Sequence, residues 1–374
     1  MKKLIYSLCL MIIVNLTVIP VHAENTSNAV DIIGASAIVI EMESGDVLYE
    51  KNADTERYPA SITKIMTALI VLEHRNLDDT ITYTQEALSS IESGSSAAYI
   101  EPGETLTIEQ SLYVMMLHSA NDIAHGLAYE VGGDLEGFAN LMNKKASELG
   151  CSKTNFVNAS GLNAEDQHTT ASDMAKIGKA AYDNKILRRI MQTVKYELPA
   201  TNKYSTARVW YNGNRMIREG SEYYYEPCIG GKTGYTVAAG GTLVTFAKID
   251  DTVLECVILK STNSASAYED SIRLYEYAEK NIDFSAYQNR GEETQDTDSG
   301  EGVYQDSENI IYDKETTIFQ KIIFGIEVIG IIFIAMFIGI ILRIIYVQHE
   351  RKKRRQRRIM QRRRQRDAER KRRS

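Results

Sequence analysis

The amino-acid sequence predicts an α+β domain whose first and last strands share one sheet, and three observations predict it. A β-rich pair of runs opens the chain, helical patterns fill its middle, and a second β-rich pair closes it by residue 260. Strands and helices segregated in this way, rather than alternating, build an antiparallel sheet with the helices grouped into a subdomain of their own. The 374 residues suffice for one large domain or two modest ones. A hydrophobic share of 44% and a charged share of 25% are those of an ordinary globular protein.

Residues 35–40 and 47–49 flank Ser44-Gly45-Asp46, which reads as a hairpin around a Gly-Asp turn. A helix is expected to start near Ser61, where Pro59 precedes Ile62, Ile65, Met66 and Leu69 at helical spacing. Further helices are expected over 108–117, 122–130, 138–149, 172–182 and 267–280, with strands over 242–249 and 252–260. No internal repeat is visible.

The two ends carry different signals. Lys2 and Lys3, an apolar stretch over 4–19 and the small-residue site Val21-His22-Ala23 read as a secretory signal over 1–23. An N-terminal anchor is the alternative, but the apolar core is short for a full span. The folded domain is expected over 24–284, followed by an acidic linker over 285–317 whose apolar content collapses after Gln288. Residues 318–342 form an apolar run interrupted by Gln320, Lys321 and Glu327, long enough to cross about 30 Å of hydrocarbon as one transmembrane helix. The tail, 343–374, holds 16 Lys and Arg against 3 Asp and Glu. The positive-inside rule places that tail in the cytoplasm and the domain outside a cell membrane crossed once. A basic run can also bind nucleic acid, but beside a membrane it reads as a stop-transfer and anionic-lipid contact.

The net charge of −7 therefore averages two unlike parts, since the rest of the chain has 27 basic against 47 acidic residues. So acidic a surface excludes nucleic acid and other polyanions held by charge. Cys151, Cys228 and Cys256 remain after the signal, none in a CxxC, which gives neither a disulfide framework nor a zinc site. Histidine is sparse, with no HExxH or HxH, so metallopeptidase chemistry is excluded and no cofactor or metal is expected.

No GxSxG elbow is present, and no histidine is placed to serve a serine. Ser61-Ile62-Thr63-Lys64 supplies another base, because residues i and i+3 share a helix face. A free lysine titrates near about 10.4, so burial and a nearby cation must lower it before it accepts a proton. Alone, the pair is equally a surface serine and lysine. Ser119-Ala120-Asn121 offers a hydroxyl and an amide to one cleft, or else an N-cap for the helix expected from Asp122. Lys232-Thr233-Gly234, followed by Tyr235, sets a cation and a hydroxyl on a strand that can pair with an extended peptide, or is an ordinary strand-end turn.

The three elements in this order, separated by 58 and 113 residues, make the signature of penicillin-binding proteins and serine β-lactamases. In their contexts, from Tyr58 to Ala68, Ser119 to Asp122 and Gly231 to Thr236, they resemble the low-molecular-mass serine D-Ala-D-Ala carboxypeptidases. His168-Thr169-Thr170-Ala171-Ser172-Asp173 resembles a helix start of that family, and the likeness covers roughly 29–284. Two departures stand out. Phe156 to Leu162 replaces a Pro-His-Gly segment, and the linker and helix stand where a C-terminal β-domain is common.

The resemblance implies the transpeptidase fold of penicillin-binding proteins and serine β-lactamases. It also implies a peptidoglycan stem peptide ending in D-Ala-D-Ala as substrate, with β-lactams as inhibitors. It makes Ser61 the nucleophile, Lys64 its base and Ser119 a proton relay. Asn121, Lys232, Thr233, Gly234 and Tyr235 become substrate-binding residues, with the N–H groups of Ser61 and Tyr235 as the oxyanion hole. A serine β-lactamase is one rival, but Glu165-Asp166-Gln167-His168 lacks the ExxLN pattern of a deacylating glutamate. A non-catalytic wall-binding relative is the other, although every polar catalytic position is filled.

The charge pattern of the ends makes the topology testable. Protease added to intact spheroplasts is expected to digest residues 24–312 and spare the tail after Arg343. Digestion of the tail from outside overturns the orientation.

Overall fold

A strand buried on both faces needs neighbours on both sides, and β1 (Ser36–Glu41) is buried at all six residues. It lies between β2 (Val47–Lys51) and β9 (Thr252–Ser261) in the antiparallel order β2-β1-β9-β8-β7, with β8 at Gly240–Ile249 and β7 at Cys228–Thr236. The computed structural model describes residues 30–89 and 95–288, and all that follows concerns these. The expected signal, the span over 318–342 and the basic tail lie outside the described residues, as does nearly all of the linker. Among the described residues no helix is long and apolar enough to cross a membrane.

The expected sharing of one sheet by the chain's first and last strands holds. Ala37 of β1 faces Ile258 of β9, and Val39 faces Cys256. Side chains of β9 alternate between two layers. Leu254, Cys256 and Ile258 pack with Leu274 and Tyr275 of α8 (Ser264–Asn281), whereas Val257 and Leu259 join the helical core on the opposite face. The hairpin at Gly45 forms as expected, with the Glu41 carboxylate accepting from the N–H groups of Glu43 and Ser44.

The helical layer is built around α1 (Lys64–His74), which buries every residue from Lys64 to Val71. A helix apolar on all sides must be wrapped. Around it stand α3 (Ile108–His118), α4 (Asn121–Gly132), α5 (Leu135–Glu148) and α6 (Ala171–Asp183). Thr107 and Gln110 cap α3 reciprocally, each side chain accepting from the other's backbone N–H.

Several short elements add to the expected ones. They are α2 (Gln85–Ser89), the pair β3 (Thr80–Thr82) and β4 (Thr105–Thr107), α7 (Lys185–Gln192), the pair β5 (Lys195–Leu198) and β6 (Arg208–Tyr211), and α9 (Ser285–Gln288). The start of α1 needs correction: Ser61 lies in a 3-10 turn, Ala60–Thr63, and the α-helix begins only at Lys64. Ala60 adopts φ 50°, a left-handed conformation that blocks an α-helical start there.

Glu255 of β9 points into the helical layer without a hydrogen-bond partner among the described residues, and a Cβ on Gly178 of α6 would lie 1.7 Å from its Oε1. Burial raises the Glu255 pKa well above the ordinary carboxylate range. The folded state therefore holds a proton that the unfolded chain releases above about pH 4.3. Stability from this group is full below that value and lost as pH rises toward the folded pKa. Glu255→Gln cannot titrate, so between pH 5 and 7 wild type is expected to lose stability relative to it. Denaturant unfolding at both pH values measures this, and parallel pH dependence of the two proteins overturns it.

Candidate active site

The site begins with the 3-10 turn. Three residues per turn align i with i+3, so Lys64 stands directly over Ser61. Lys64 Nζ lies 3.3 Å from Ser61 Oγ, 2.7 Å from Asn121 Oδ1 and 2.6 Å from the Ser160 carbonyl oxygen. Lys64 has no exposed surface. Desolvation first, and then the charge of Lys232, push its pKa well below the usual lysine range; the Asp122 carboxylate opposes them weakly. A neutral amine has two N–H bonds and one lone pair. The two acceptors at Asn121 and Ser160 take the N–H bonds, which leaves the lone pair for the Ser61 hydroxyl proton.

Asn121 is the first residue of α4, and its N–H donates to the Ser96 carbonyl. Ser119 is the left-handed C-cap of α3, at φ 63°. It does not cap α4, whose N-cap is Ala120 without a side-chain bond. The Ser119 Oγ is buried and has no partner among the described residues, a costly state for a hydroxyl that a ligand can relieve. Asp122 secures the neighbouring loop, accepting from the N–H groups of Ala98 and Ile100.

The third motif lies on β7, the outer strand of the sheet. A Cβ on Gly234 would meet the Ser61 nitrogen at 2.7 Å and Thr242 Oγ1 at 2.4 Å, so only glycine lets the strand pass this close to Ser61. Tyr235, next in the strand, pairs with Gly241 of β8 and leaves its ring about half exposed. A Cβ on Gly213 would lie 3.0 Å from Thr233 Oγ1, and the Gly213 N–H donates to the Leu117 carbonyl of α3. β7 and the Ser119 turn are thereby tied together. Lys232 is buried, its Nζ donates to the Thr233 carbonyl, and burial pushes its pKa down to about 7.

The structure thus brings Lys64 into contact with both Ser61 and Asn121 and sets Gly234 against Ser61, with the Lys232 charge acting on Lys64. Ser160 is the participant that the sequence did not disclose. It contributes a backbone carbonyl, and the turn residues Asn158, Ser160 and Gly161 were the only trace of it.

The family of D-alanyl-D-alanine carboxypeptidases matches residues 23–263, a span that contains all three motifs. The chain belongs to that family. It is 35% identical over 220 residues to the D-alanyl-D-alanine carboxypeptidase DacF of Bacillus subtilis, covering 57% of this chain and 54% of the relative. It is 30% identical to DacC of Escherichia coli over 67% of this chain and 62% of that one. The matches thus span little more than half the length of these two relatives. The crystal structure of the Streptomyces K15 DD-transpeptidase superposes with a TM-score of 0.63 at 28% identity, covering 67% of this chain and 98% of that one. A D-alanyl-D-alanine carboxypeptidase from Mycobacterium tuberculosis gives 0.62 at 25%, over 68% and 94%. The expected α+β fold of the penicillin-binding proteins is therefore the fold of this domain.

Two lysines set the pH dependence of this site, with limits that belong to the pair. Acylation by benzylpenicillin is expected to rise as Lys64 loses its proton and to fall as Lys232 loses its own near pH 7. Lys232→Arg keeps its charge. A pre-steady-state pH profile should show slower acylation with the rising limb retained and the falling limb gone. An unchanged falling limb removes Lys232 from this role.

Proposed function

We propose that the chain is a serine D-alanyl-D-alanine carboxypeptidase that removes the terminal D-alanine from peptidoglycan stem pentapeptides. The observation that carries this reading is the buried Lys64 amine, its pKa pushed well below the usual lysine range, 3.3 Å from the Ser61 hydroxyl. Family membership supports it.

The substrate adds as a strand to the outer edge of β7, and its terminal carboxylate is received by Lys232 and Thr233. That carboxylate raises the Lys232 pKa again, as an opposite charge does, and fixes the positive charge there. Ser61 Oγ attacks the carbonyl carbon of the penultimate D-alanine while its proton passes to Lys64 Nζ. The N–H groups of Ser61 and Tyr235 hold the oxyanion. The C–N bond breaks, and the leaving amine takes a proton through Ser119. Asn121 bonds the substrate amide and keeps Lys64 in place. Water then cleaves the ester and frees Ser61. No metal or cofactor enters these steps.

The same reading places the domain outside the cell membrane, supported by the basic start of the chain, the apolar run over 318–342 and the basic tail. A β-lactamase would need a further base against the acyl ester. Among the described residues no carboxylate bonds Ser61 or Lys64, and the Asp122 oxygens are taken by backbone N–H groups.

The purified protein is expected to release one D-alanine per pentapeptide and to hold a penicilloyl ester at Ser61 for minutes or longer, and Ser61→Ala should abolish both. Amino-acid analysis and intact mass spectrometry read the two. Rapid multiple turnover of penicillin with no D-alanine release makes the protein a lactamase instead.

A further inference from the structure

The cleft has walls from two layers, and their separation has to be held. Ser119 closes α3 in the helical layer, whereas Thr233 lies on β7 of the sheet. The chain between β6 and β7 bridges the two as Asn212-Gly213-Asn214. Both asparagines are buried, and their side chains bond backbone groups. Asn212 Nδ2 donates to the Met191 and Thr193 carbonyls at the end of α7, and its Oδ1 accepts from the Asn214 N–H. Asn214 Oδ1 accepts from the Met216 N–H, and its Nδ2 donates to the Gly230 carbonyl of β7.

Gly213, between them, has no side chain to fix it, so its place depends on its two backbone polar groups. Its N–H donates to the Leu117 carbonyl, two residues before Ser119. Its carbonyl accepts from the Tyr268 hydroxyl at 2.7 Å. Tyr268 is buried on α8, which packs on the face of the sheet away from the helical layer. Apolar packing there asks only for a ring. The hydroxyl costs desolvation, and the Gly213 carbonyl is a partner that offsets it.

The same glycine lies against the carboxylate-binding motif. A Cβ on Gly213 would come within 3.0 Å of Thr233 Oγ1. Among the described residues that hydroxyl has no hydrogen bond of its own, so packing against Gly213 places it. The chain of contacts therefore runs from α8 through the sheet's edge to the cleft: Tyr268 hydroxyl, Gly213 carbonyl, Thr233 hydroxyl.

We propose that Tyr268 is a positioning residue for the substrate's terminal carboxylate, acting from the far side of the sheet. Its hydroxyl braces Gly213, and Gly213 backs the Thr233 hydroxyl that receives the carboxylate. The Leu117 bond anchors the other side of Gly213, so loss of the brace loosens Thr233 and leaves the Ser119 turn in place. The inference rests on the carboxypeptidase reading for the part that Thr233 plays, and adds the residue that places it.

Tyr268→Phe in the full chain keeps the ring and removes only the bond. KM for D-alanine release from a pentapeptide should rise about tenfold, the scale of one hydrogen bond, with kcat nearly unchanged. Thr233→Val removes the hydroxyl and keeps its shape, so adding Tyr268→Phe to it should cost nothing further. Gly213→Ala tests the second contact without touching Tyr268. Its backbone lies outside the left-handed region, so alanine can adopt it, and the Cβ crowding Thr233 should also raise KM. Losses that multiply in the double variant, or an unchanged KM in either Tyr268→Phe or Gly213→Ala, overturn the proposal and leave the carboxypeptidase standing. If no D-alanine leaves the pentapeptide, the carboxypeptidase reading falls instead. The same cycle is then decided by the rate of Ser61 acylation by benzylpenicillin, which presents a carboxylate of its own.

Discussion

Burial of a lysine amine without a carboxylate partner is the condition on which the site depends. Lys64 and Lys232 are both enclosed, and among the described residues neither forms an ion pair. Burial lowers the pKa of both lysines, and the charge of Lys232 lowers that of Lys64 further, so the cleft disfavours two protonated amines at once. The surroundings of the two differ. Lys64 is held by two acceptors that suit a neutral amine, whereas Lys232 donates to the Thr233 carbonyl. In the proposed reaction a substrate carboxylate at Lys232 supplies the anion that the protein omits, so that binding and base activation become one electrostatic event. The enclosure itself comes from α1, whose all-round burial keeps water from the amine.

The sheet supplies the second half of the site. β7 approaches Ser61 closely enough that residue 234 must lack a side chain, and β8 locks the contact as Thr242 donates to the Pro59 carbonyl. Ser61 is thus fixed from two directions, by the helical layer through Lys64 and by the sheet through Gly234. Ala60 carries the strain of joining them, in a left-handed conformation that an alanine adopts only under tertiary constraint.

Much of this was legible in the sequence because the chemistry is local there. Ser61 and Lys64 are one turn apart, Ser119 and Asn121 are two residues apart, and Lys232 to Tyr235 are contiguous, so each motif survives without knowledge of the fold. The long helices showed their period, and the first and last strands their β-rich runs. What escaped was of two kinds. β3, β4, β5 and β6 have only three or four residues each, too few for a period to show. Ser160 acts through its carbonyl, which every residue type owns, so its identity carries no mark. Ser119 was ambiguous between a cleft hydroxyl and an N-cap for α4 until the structure gave the N-cap position to Ala120.

The pairing of β1 with β9 also imposes an order in time. β1 leaves the ribosome early, yet the strand it must pair with follows more than two hundred residues later. Closing so long a loop precedes any reward from the contacts it makes, and such topologies fold slowly. Until β7, β8 and β9 have all been made, Ser61 has neither its glycine neighbour nor the second lysine. A site of this design is incomplete for most of the chain's synthesis and is assembled only when the last strands are inserted.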